Sequence, residues 1–263
     1  NDRLHMAIAH AERGRLHVSL QTFDPRDGAL LNKRSIAGFH ADPRLHLETA
    51  LSTWQGEVIL QTGNTLFAVD AEGPRWLYKF AAIPVDHLRA PDLQHSQPPL
   101  VIGDSIIIHA LGSGGVHCVD AATGRLRWEY VEPAARNLLQ LSDNRLAVFT
   151  ERSFAVIRAD TSAPVSYRRE QIPLHSILPA ANGDIAMVWV NSVKNEWDAS
   201  QRRIRWFDPE TAEQRAEHLL GGPKQLNDFR GLWSDGRDLF GFVVHRAWEK
   251  KERLEFVRLK ARP

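Results

Sequence analysis

The sequence holds one cysteine, two methionines, three tyrosines and no long apolar run. With Cys118 alone, neither an intrachain disulfide nor a four-cysteine zinc site can form. No stretch approaches the roughly 18 apolar residues that mark a spanning helix, so no membrane insertion by this segment is expected. Asn1 is not an initiator methionine and no apolar signal-like stretch follows it, which reads as a processed or trimmed start of a soluble chain. Charge of one sign is missing too. The 33 basic and 32 acidic residues give a formal net charge of +1, without the clustered basic excess of a nucleic-acid binder, so no nucleic-acid partner is expected. There is no glycine-rich phosphate loop and no GxSxG elbow, and GSGG at 112–115 reads as a strand turn.

What is present is a repeated hairpin: QTFDPRDGALL, LFAVDAEGPRWLY, VHCVDAATGRLRW, VIRADTSAPVSY and IRWFDPETAEQR. Their aspartates are Asp24, Asp70, Asp120, Asp160 and Asp208, spaced by 46, 50, 40 and 48 residues. A further strand of the same type, RLEFVRLK, places Arg258 50 residues after Asp208. A period of about 40 to 50 residues in a strand-rich chain is that of a propeller. Each part of the hairpin has a physical reason. A β-prone apolar run such as Leu66 to Val69 leads into the turn. The Asp carboxylate then accepts backbone N–H bonds just ahead of it, and Gly28, Gly73 or Gly124 supplies a positive φ. Trp76, Trp128 and Tyr167 follow, offering flat surfaces for packing between neighbouring sheets.

Two more strand-like runs precede most hairpins; residues 98–130 read PPLVIG, SIIIHAL, GVHCVD and LRWEYV. Four strands make a propeller blade. The units are 4–36, 46–83, 98–131, 138–169, 174–220 and 226–260. The sequence therefore predicts one all-β domain over 1–263, a β-propeller of about six four-stranded antiparallel blades with about 22 strands. Its first unit lacks a convincing first strand and its last a convincing fourth. Either the ends close on themselves, or the chain is part of a larger ring.

Residues 98–130, and more loosely 56–80, resemble the repeat of the pyrroloquinoline-quinone (PQQ) family of β-propellers, through VDAATGRLRW. That resemblance implies the propeller fold. The family includes quinoprotein alcohol dehydrogenases and also non-catalytic scaffolds of outer-membrane assembly. The dehydrogenases carry adjacent cysteines against the quinone and a calcium ion held by acidic and amide side chains. The single Cys118 sits at a strand position and reads as a buried core residue, and the five turn aspartates fall in separate blades. The resemblance thus implies the non-catalytic branch, with no catalytic residue, cofactor or metal; a PQQ-dependent or other small-ligand enzyme using the central channel is the alternative. FHADPRLH offers His40, Asp42 and His46 as ligands, but 12 scattered histidines make such groupings expected by chance. His5 and His10 differ in strand parity and face opposite ways.

The expected function is a protein-interaction platform, whose partner is another protein or the remainder of a larger one. Three segments exceed tight-turn length: 84–97, 191–203 and 246–253. The last two occupy equivalent places in consecutive blades and set Trp197 and Trp248 among charged residues. Trp and Arg are enriched in interface hot spots, so the candidate patch is Trp197 and Trp248 flanked by Arg202, Arg246, Lys250 and Lys251.

Overall fold

The computed structural model describes residues 3–12, 15–40, 49–62, 65–70, 72–80, 97–109, 114–172, 177–180, 183–190, 202–220, 226–234, 238–246 and 252–260. Among them every regular element is a β-strand. The chain divides into two compact units, Asn1–Ala135 and Arg136–Pro263.

In Asn1–Ala135 the first sheet has three strands, β1 (Leu4–Glu12), β2 (Arg15–Phe23) and β3 (Leu30–His40). The second has four, β4 (Thr49–Trp54), β5 (Glu57–Thr62), β6 (Thr65–Val69) and β7 (Pro74–Lys79). The third also has four, β8 (Leu100–Ile102), β9 (Ser105–His109), β10 (Gly115–Asp120) and β11 (Leu126–Val131). Strands follow chain order within every sheet and all neighbours are antiparallel. The first strands β1, β4 and β8 lie side by side.

In Arg136–Pro263 a four-stranded sheet comprises β12 (Asn137–Ser142), β13 (Arg145–Phe149), β14 (Ser153–Arg158) and β15 (Pro164–Arg169). The next comprises β16 (Ile177–Pro179), β17 (Ile185–Val190), β18 (Arg202–Phe207) and β19 (Gln214–Leu220). The last has three strands, β20 (Leu226–Ser234), β21 (Asp238–Arg246) and β22 (Glu252–Lys260). Again the first strands, β12, β16 and β20, are neighbours. Four sheets thus have four strands each, and the two terminal sheets, whose units hold three strand-like runs in the sequence, have three.

The middle strands explain the continuous apolar runs of the sequence. Along β5, Val58 and Leu60 join Val18, Leu20 and Ile36 of the first sheet, whereas Ile59 joins Ile106 and Ile108 of the third. On β6, Phe67 and Val69 face the first sheet's core while Leu66 and Ala68 face the third's. A strand packed on both faces has no solvent side, so it shows no polar alternation. In the second unit Phe149, Phe154 and Phe207 fill one such layer, and Ala186, Val188 and Ile204 face another. Burying each large side chain contributes about 1.5–3 kcal/mol. The outermost strands β7 and β11 alternate instead, leaving Leu77 and Val131 exposed beside charged neighbours such as Arg75, Lys79, Arg127 and Glu129. Charge along such an edge discourages pairing with another chain.

A register shift just before the last turn of each of the first five sheets aligns the repeats, falling at Thr22/Phe23, Ala68/Val69, Cys118/Val119, Val156/Ile157 and Trp206/Phe207. Asp24, Asp120 and Asp208 each donate their N–H to the carbonyl five residues on and accept from the N–H four residues on, at 2.8–2.9 Å. In β14–β15 those two bonds belong to Arg158, which pairs with Ala163 and Ser162. Asp160 thus lies two residues beyond the position equivalent to the other turn aspartates, which falls 38 residues after Asp120 and not 40.

Candidate functional site

The turn aspartates are the most regular polar feature. Asp24 Oδ1 accepts the Arg26 N–H at 2.9 Å, and the Arg26 guanidinium closes on the same carboxylate at 2.7 and 3.0 Å. Asp70 Oδ1 accepts from Glu72 N (2.7 Å) and Gly73 N (3.0 Å). Asp120 Oδ1 accepts from Thr123 N and Thr123 Oγ1, and Oδ2 accepts from Arg127 at 2.5 Å. Asp208 takes Glu210 N at 2.8 Å and Arg215 at 2.5 Å. Asp160 is gripped by the Arg158 guanidinium at 2.6 and 3.0 Å. All five carboxyls are held below the usual aspartate range: Asp24, Asp120, Asp160 and Asp208 foremost by the bonded arginine, Asp70 by the Glu72 and Gly73 N–H groups. Hydrogen bonds to an ionised carboxylate favour that form. These groups organise turns, and each stands in its own sheet.

Neighbouring sheets are tied at the same turns. Trp76 lies on β7, register-equivalent to Trp128 on β11, and its Nε1–H donates to Ala121 O at 2.9 Å. Trp54 Nε1–H donates to Gly103 O at 3.1 Å. Gly124 has φ +69°, and a Cβ there would stand 2.5 Å from the Trp76 ring. Trp128 is half-buried. In the second unit Ser166 Oγ donates to Pro209 O at 2.6 Å and Arg145 pairs with Glu210 at 3.0 Å.

Cys118 is fully buried, and burial pushes its thiol up to about 11, only partly offset by a hydrogen bond with Ser105 and by the Arg127 charge. Such a thiol is a core residue and not a nucleophile at neutral pH. His117, its neighbour on β10, stacks on Phe80 at 5.4 Å, with Nδ1 3.2 Å from the Tyr78 hydroxyl.

The first unit has an open cleft of about 600 Å³ between its first and second sheets, at the end that carries the aspartate turns. Arg3, just ahead of β1, and His5, Thr22, Asn32 and Arg34 of the first sheet line it on one side. Leu20, Val58 and Val69 form an apolar floor, and Thr53, Gly56 and Asp70 close the far wall. The register explains the space: Asn32, paired with Thr22 across β2–β3, stands where Trp76 stands, paired with Ala68, across β6–β7. An indole fills the gap to the next sheet in one case, and a short amide leaves it open in the other. Among these residues the sequence pointed to His5 as a candidate ligand and to Asp70 and Val69 as parts of the repeated hairpin, but not to Arg3, Asn32 or Arg34. Asn32 in place of an aromatic was the available signal, legible only once the register shift is known.

Of the expected interaction residues, Trp197, Trp248, Lys250 and Lys251 lie outside the described residues, as do Asp42 and His46 of the metal-ligand grouping. Arg202 begins β18 opposite Val190, and Arg246 ends β21 opposite Glu252. His5 Nδ1 lies 3.2 Å from Thr22 Oγ1, whereas His10 stacks on His17 across the strand pair.

No family model matches the chain, and no curated protein matches it. Solved structures do. Hsv2 from Kluyveromyces lactis superposes with a TM-score of 0.52 at 9% identity, covering 94% of this chain and 83% of that one. The WD40 domain of SCAP from fission yeast gives 0.50 at 11% identity, over 95% of this chain and 75% of its own. The fold is a β-propeller. BamB from Moraxella catarrhalis matches over 99% of this chain and 88% of its own at 13% identity, but its TM-score of 0.43 adds nothing to the propeller assignment.

Proposed function

We propose that this propeller is a non-catalytic module that holds a protein partner through a patch centred on Trp197 and Trp248. The supporting observation is topological. In Arg136–Pro263, β16 and β20 are neighbours, and residues 191–201 and 247–251 each join the second strand of their sheet to the third. In the other four-stranded sheets the same connection spans 63–64 between β5 and β6, 110–114 between β9 and β10 and 150–152 between β13 and β14, so 191–201 exceeds them all and 247–251 equals the longest of them. Length beyond the minimal turn is where binding residues concentrate on a rigid scaffold. Trp197 and Trp248 supply large rigid contact area, and Arg202, Arg246, Lys250 and Lys251 form a cationic rim that steers an acidic partner surface. Fold alone does not choose an activity, so the reading stands on these loops.

Truncating a hot-spot tryptophan costs at least about 2 kcal/mol, roughly thirtyfold in affinity. Trp197→Ala and Trp248→Ala should each weaken capture of the native partner in a pull-down while leaving the melting temperature nearly unchanged. Normal capture by both variants sinks the assignment.

A further inference from the structure

The cleft between the first two sheets has a composition that points to a ligand class. Two guanidiniums, Arg3 and Arg34, and the His5 imidazole stand over a floor of Leu20, Val58 and Val69. Among the described lining residues the one carboxylate, Asp70, is held by its own turn, with Oδ1 accepting two backbone N–H groups and the Arg34 and Arg75 charges acting on it. Arg34 reaches the Asp70 backbone carbonyl at 3.2 Å, which holds its guanidinium at the cleft wall. The volume, about 600 Å³, lies in the range of small-molecule sites and far exceeds a bare ion. We propose that this cleft binds a small organic anion, its carboxylate or phosphate head on Arg3 and Arg34 and its apolar body on the Leu20, Val58 and Val69 floor.

The chemistry follows from the parts. Arginine offers a planar fork of donors matched to either oxyanion, and charge-assisted bonds of this kind are roughly twice as strong as neutral ones. Thr22, Asn32 and Thr53 add neutral groups that orient the head without changing its charge. His5 adds a dependence on pH. Its ring is pushed toward the neutral form by burial and by the Arg3 charge, with Arg34 and Asp70 the other charged groups among the described lining residues. An anion in the cleft favours the imidazolium, so affinity rises as pH falls below the ordinary histidine range.

The test uses the full chain with isotope-labelled methyl and imidazole groups, titrated with inorganic phosphate, with citrate, and with glycerol as an uncharged control. Saturable shifts at Leu20, Val58, Val69 and His5 with either anion, and none with glycerol, support the site. Preference for phosphate or for citrate then assigns the head group. Arg3→Gln, at an exposed position ahead of β1, should weaken binding about tenfold, as should Arg34→Gln, with Arg34→Lys partly restoring it. Because Arg34 also ties the two sheets, Arg3→Gln is the decisive variant if Arg34→Gln fails to fold. Absence of saturable shifts with both anions, equal shifts with glycerol, or wild-type affinity in Arg3→Gln overturns the proposal.

Discussion

Alanine at Gly124 should be far more costly than alanine at Gly28, although the two glycines hold the same place in the repeat. Each lies four residues after its turn aspartate and donates its N–H back to that aspartate's carbonyl. Both backbones are left-handed, with φ +69° at Gly124 and +72° at Gly28. A side chain in that conformation costs about 1–2 kcal/mol at either site. The surroundings differ. A Cβ at Gly28 meets nothing within 4 Å, whereas one at Gly124 meets the Trp76 ring at 2.5 and 2.6 Å. The ring packs against the Ile106, Ile108 and Val119 layer and is bonded to Ala121 O, so it cannot move away freely. Forcing it aside adds an overpacking cost of about 1–3 kcal/mol and strains a hydrogen bond worth about 1 kcal/mol. Gly124→Ala should therefore destabilise by about 3–5 kcal/mol and Gly28→Ala by about 1–2 kcal/mol. Urea unfolding followed by circular dichroism measures both. In a Trp76→Ala background the Gly124→Ala penalty should fall to the Gly28 level, because the obstruction is gone. Equal penalties at the two glycines, or no coupling in the double mutant, refute the packing argument.

Acid should weaken the turns in a defined window. The folded-state carboxyls of Asp120 and Asp208 lie below their unfolded values, so their contribution is complete above about pH 4 and is lost as pH falls through the folded values. Asp120→Asn and Asp208→Asn should accordingly be less stable than wild type at pH 7 and converge with it as pH falls through the folded values; a difference independent of pH would contradict this. Cys118, buried and with its thiol near 11, should resist a disulfide exchange reagent at pH 8 in the native protein and react only after denaturation. Rapid labelling of the folded chain would show the packing around it to be wrong.

The sequence by itself determined the elements of this protein. Apolar β-prone runs bounded by Asp and Gly turns are local signals, and they place the strands, including three in the first sheet and three in the last. Gly28, Gly73 and Gly124 were legible as positive-φ positions because a turn's dihedrals depend on a few adjacent residues. Tertiary structure decided what depends on register and on the neighbouring sheet. Arg158, and not Asp160, holds the backbone bonds of its turn, and only the register shift at Val156/Ile157, shared with the other hairpins, shows that Arg158 stands where their aspartates do. Which face of β5 and β6 meets which neighbour could not be read from runs that are apolar on both sides. The cleft was hidden for the same reason. Asn32 is an ordinary strand residue until the register places it where Trp76 stands in the next sheet, and the space it leaves belongs to no single stretch of chain.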